Sequence, residues 1–87
     1  MPDNNSLRFN VQAAPEKACG VYANASVVSS TGNESRIDFL YVDHANKRGD
    51  EVPAHLAARV IMPTSDLANL SETLNDHIAK HLEHGLD

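Results

Sequence analysis

The chain has 87 residues, 41% hydrophobic and 22% charged, with a formal net charge of −5, which fits one small folded domain and excludes a disordered tail. The acid excess argues against direct nucleic-acid binding, which relies on a basic surface to neutralise phosphates. A single cysteine, Cys19, excludes an internal disulfide framework, and two Tyr, two Phe and no Trp leave the interior to Val, Ile, Leu and Ala.

Residues 1–6 (MPDNNS) read as a disordered N-terminus with no signal peptide, and residues 7–85 as one α+β domain. No apolar run approaches the ~20 residues of a membrane span, so the expected setting is cytoplasmic. Leu7 to Ala13 alternates strictly, with Leu7, Phe9, Val11 and Ala13 on one side and Arg8, Asn10 and Gln12 on the other. That period of two predicts a half-buried strand. Residues 14–18, with Pro15, form a connection.

A second strand is expected over 19–28, with Cys19, Val21, Ala23, Ala25 and Val27 on its buried face. Ser29 to Asn33 is the turn, and a three-residue loop ending in Gly32 suits a residue in the left-handed region. That register sets Ala25 against Ile37, Ala23 against Phe39 and Val21 against Tyr41. The third strand, residues 37–42, is apolar on both faces. A charged loop follows, then a fourth strand over 55–62. Pairing His44 with His55 would place Leu56, Ala58, Val60 and Met62 on the face of Ile37, Phe39 and Tyr41. Asp38 and Arg59 then form a diagonal ion pair.

Pro63 ends that strand and Thr64 or Ser65 caps a helix, with Asp66 at its positive end. Leu67, Leu70, Leu74, Ile78 and Leu82, with His81, make one apolar stripe that Gly85 terminates. The expected architecture is therefore a four-stranded antiparallel meander followed by one amphipathic C-terminal helix. Four strands span roughly 19 Å, whereas one helix covers about 10–12 Å. The apolar surface left over predicts a homodimer.

The chemistry-bearing residues form no catalytic set, so no enzymatic activity and no cofactor are expected. His77, His81 and His84, at i, i+4 and i+7, give an alternative reading as a Zn²⁺ or Ni²⁺ site. They are more simply one histidine at the edge of the core and two in solvent. Cys19 is a small apolar residue with no positioned base. A further alternative is an acidic decoy for a basic, nucleic-acid-binding surface; it requires acids clustered on one face.

The set Gly20-Val21-Tyr22-Ala23-Asn24, Ile37-Asp38-Phe39, Ala58 to Met62 and Leu70 to Ile78 resembles a family of short bacterial proteins known as domain of unknown function 3467. The similarity extends from about Leu7 to Gly85. Ser35-Arg36 replaces an aromatic position of the family, its helix-start proline is displaced to Pro63, and His81 replaces a helical tyrosine. The resemblance implies a strand-rich domain with a C-terminal helix and carries no activity. Tyr22, Asn24, Asp38 and Arg59 match family positions on the sheet face away from the expected core. With Leu40, they are the candidate contacts for a protein partner, although paired structural polar groups are the simpler role. The expected function is a homodimeric adaptor that uses a sheet face or edge. SecB-type export chaperones are a fold-level analogy only.

Overall fold

The apolar runs on either side of Gly32 pair, and the rest of the chain is arranged about that hairpin. The structure is a computed structural model that describes residues 7–83, with side chains through residue 81. The expected frayed terminus, the His84 ligand, the Leu82 contact and the Gly85 helix end lie outside these. In order come a one-turn helix α1 (Pro15–Ala18), strand β1 (Ala25–Ser30), strand β2 (Glu34–Val42), a 3-10 turn (His44–Asn46), strand β3 (Ala54–Pro63) and helix α2 (Thr64–Glu83). The sheet is antiparallel in the order β1-β2-β3.

The α+β class, the antiparallel sheet and the C-terminal helix agree with the sequence; the number of strands does not. Leu7–Ala13 enters no ladder, and Phe9 and Val11 are 89% and 83% exposed. Alternation fits a segment for a strand but supplies no edge to pair with. Pro15, at the start of α1, and Gly20, at φ 77°, turn the chain between this segment and β1. The second strand consequently begins at Ala25, not at Cys19.

The hairpin register also differs from the expected one. Ala25 faces Leu40, not Ile37, a shift of three residues (40 − 37), and Val28 faces Ile37. An odd shift exchanges the two faces, so Val28 takes the place expected for Val27. The turn sets the register. The Thr31 amide donates to the Glu34 carbonyl at 2.8 Å and the Glu34 amide to Thr31 Oγ1 at 3.3 Å, closing the loop on Gly32 and Asn33. Gly32 is not in the left-handed region; Gly20 and Gly49 are.

Between β2 and β3, Asp38 lies directly opposite Arg59, Ile37 opposite Val60 and Phe39 opposite Ala58. Ala58, Val60 and Met62 thus share the face of Ile37, as expected. The register then slips between Phe39 and Leu40, leaving Ala57 without a partner. This bulge carries Leu56 to the other face, opposite Leu40, and sets His55 against Tyr41. His44 lies in the 3-10 turn and does not pair with His55.

Helix α2 follows β3 without a loop, anchored by hydroxyls. Ser30 Oγ lies 2.8 Å from Ser35 Oγ, which donates to Thr64 Oγ1 at 3.0 Å. Thr64 Oγ1 in turn donates to the Thr31 carbonyl at 3.3 Å, and the Thr64 amide to the Asn33 carbonyl at 3.0 Å. Leu67 and Leu70 are half-buried, whereas Leu74 and Ile78 are exposed. The expected stripe thus meets the sheet only along its first turns. Among the described residues Ile37, at 6% exposure, is the one buried apolar side chain. The radius of gyration is 16.9 Å, against about 12 Å for a compact chain of this length.

Candidate functional site

The sheet face turned away from α2 carries three rows of cross-strand neighbours. They are Ser29, Arg36 and Ile61; Val27, Asp38 and Arg59; and Ala25, Leu40 and Leu56. The centre is an ion pair. Arg59 Nε donates to Asp38 Oδ1 at 2.6 Å and Nη2 to Oδ2 at 3.2 Å, a two-pronged contact that fixes orientation better than a single bond. The hydrogen bond from Arg59 holds the Asp38 carboxyl below its ordinary range; partial desolvation opposes this, and the charges of Arg59 and Arg36 add to it. The same hydrogen bond raises the Arg59 guanidinium. Val27, Leu56 and Ile61 stand exposed around the pair. The strand alternates Glu34, Arg36 and Asp38, so this face is mixed in charge and not an acidic patch.

Of the candidate contacts, Asp38, Leu40 and Arg59 come together on this face. Tyr22 does not join them. Its ring meets Tyr41 edge-on, with centroids 6.0 Å apart at 65°, and Tyr41 shares the side of Ile37 and Phe39 by strand alternation. Asn24 is engaged with backbone. Its Nδ2 donates to the Val42 carbonyl at 3.0 Å and its Oδ1 accepts from the Val42 amide at 2.8 Å. The stretch from Gly20 to Asn24 thereby acquires a structural meaning: a left-handed glycine, a tyrosine on Tyr41 and an asparagine that extends the ladder past β1.

Sequence reasoning missed Val27 and Leu56. Leu56 changes sides through the bulge, and Val27 and Val28 are adjacent valines that give no preference for either face. Direct pairing of Asp38 with Arg59 was the available signal for the β2–β3 register.

On α2, His77 and His81 lie one turn apart with ring centroids 4.2 Å apart. Among the described residues no three His, Cys, Asp or Glu side chains gather closely enough to hold a metal ion. Among them, too, no helix is long and apolar enough to cross a membrane. Cys19 is exposed, not buried as expected.

No curated protein and no solved structure matches the chain. A family described as "Protein of unknown function (DUF3467)" matches residues 2–86. With nearly its whole length covered, including the Gly20–Asn24 stretch and the Asp38–Arg59 pair, the chain belongs to the DUF3467 family.

Proposed function

We propose that this chain is a homodimeric, non-enzymatic interaction module that holds a protein partner on the sheet face around Asp38 and Arg59. The observation that carries the reading is the burial of Ile37 alone among the apolar side chains described. A domain this small needs most of its apolar residues covered to offset chain entropy. Val28 and Val60, which flank Ile37, and Leu74 and Ile78 on α2 are all open. A second copy is the simplest cover for that side of the sheet.

The opposite face then remains for the partner. Its ion pair is satisfied within the sheet, and the surrounding Val27, Leu56 and Ile61 offer apolar contact. This suits an apolar peptide segment of another protein, the kind of ligand an adaptor or chaperone takes. Two measurements test the proposal. Light scattering should return twice 9.4 kDa. Affinity capture from the host lysate should recover a protein with the wild type and lose it with Val27→Asp/Ile61→Asp. A monomer at high concentration, or equal recovery by the variant, contradicts it.

A second reading is divalent-metal binding by His77 and His81, favoured by their adjacent rings. Zn²⁺ or Ni²⁺ that binds only the folded chain raises its melting temperature. The rise should vanish in His81→Ala; an unchanged wild-type melting temperature removes this reading.

A further inference from the structure

The segment Leu7–Ala13 has the side-chain pattern of a strand and no ladder in its own chain. Phe9 and Val11 stand in water, while every second residue is polar. Such alternation serves a segment whose one face is covered and whose backbone is paired.

The sheet offers a place for it. β3 runs for ten residues, and no strand lies on its outer side among the described residues. Soluble proteins commonly blunt such an edge with charged side chains, Pro, a bulge or a very short strand. The bulge at Ala57 and Pro63 bound the stretch from Ala58 to Met62, and within it the one charge, Arg59, is engaged by Asp38 of the neighbouring strand, so these five residues stay open to pairing. β1, the other edge, is six residues long and half serine.

We infer that Leu7–Ala13 of each copy adds as a fourth strand to the open edge of β3 in the other copy. This rests on the homodimer proposed above. At about 3.3 Å per residue the segment runs roughly 23 Å, enough to pair with the edge from Ala58 to Met62 and beyond the bulge. Its side chains fit as well. With Phe9 and Val11 on the α2 side they lie beside Val60, which is 40% exposed, and Asn10 falls on the face of Arg59. The arrangement favours exchange over self-pairing because the segment leads into β1, and β2 separates β1 from β3. Reciprocal addition about a two-fold axis also makes the contact closed.

The test combines light scattering with directed cross-linking on a Cys19→Ser background. The wild type should be a dimer and Phe9→Asp/Val11→Asp a monomer. Asn10→Cys and Ile61→Cys, placed on separate chains and refolded together, should join through a short bismaleimide, whereas Asn10→Cys with Ser29→Cys on β1 should not. A dimeric wild type whose Asn10→Cys and Ile61→Cys chains fail to join overturns strand exchange and leaves the dimer standing. Joining through Ser29→Cys instead does the same. A monomeric wild type overturns both. Should Phe9→Asp/Val11→Asp fail to fold, cross-linking alone decides.

Discussion

Asn24 pairs with Val42 through its side chain as a strand residue pairs through its backbone, with Nδ2 on the carbonyl and Oδ1 on the amide. The main-chain amide of Asn24 also donates to the Leu40 carbonyl at 2.9 Å. One residue thus closes the end of the β1–β2 ladder. Asn24→Ala should cost about 1 kcal/mol, the net worth of a hydrogen bond or two at an exposed site. Faster hydrogen exchange at the Val42 amide, with the far end of the hairpin unchanged, is the expected sign.

Ser35 is 1% exposed and joins Ser30 to Thr64. Ser35→Val replaces a hydroxyl in a polar cluster and leaves both neighbours short of a partner. A loss of about 1–3 kcal/mol is expected in denaturant unfolding. Thr64→Val, at the other end of the same relay, should lose a similar amount, and the double variant should lose less than the sum.

Ile37→Ala removes the one buried apolar side chain described. The expected loss is about 2–4 kcal/mol, a large share of the stability of any small domain. Circular dichroism at low protein concentration should show a chain largely unfolded. Ile37→Val, which keeps most of the volume, should fold.

The lowered Asp38 carboxyl gives stability a defined pH dependence. A carboxyl whose folded value lies below its unfolded value, about 3.9, contributes fully above that value. The contribution disappears as pH falls through the folded value. Asp38→Asn should therefore lose at pH 7 the same small amount of stability by which it flattens the acid limb below about pH 4, small because solvent screens the pair. A profile that keeps its slope in the variant would assign the acid limb to other carboxyls.

Leu74→Glu/Ile78→Glu changes two exposed positions on α2. In a solitary chain it should alter stability by no more than about 0.5 kcal/mol. In a dimer covering that stripe it should shift the assembly toward monomer. Sedimentation at several concentrations separates the two outcomes.

How far the sequence could be read depended on how strongly each residue preferred one face. The α2 stripe, the Pro63–Thr64 boundary and the face shared by Ile37, Phe39, Ala58, Val60 and Met62 were legible from alternation. The β2–β3 register was not: it lies two residues from the one expected, because a shift of two keeps every side chain on its face and so leaves no mark in the pattern. Nor was the hairpin register, since Val27 and Val28 offer equal apolar surface to either side. The hydroxyl relay through Ser35 was hidden because serine near a turn is usually a solvated residue. Alternation was enough to put Asp38, Leu40 and Arg59 on one sheet face, and they share it. Asn24 acts on a backbone that pattern alone does not place, and Leu56 reaches the site through a bulge with no marker in the sequence.

That Ile37 alone is shielded among the described apolar side chains has a calorimetric consequence. Unfolding one isolated copy would hydrate little new hydrocarbon, so its heat-capacity increment and denaturant slope should both be small for its length. Its melting should be broad. A steep transition with a full heat-capacity step, sharpening as concentration rises, would measure how much of the cooperativity belongs to the assembly.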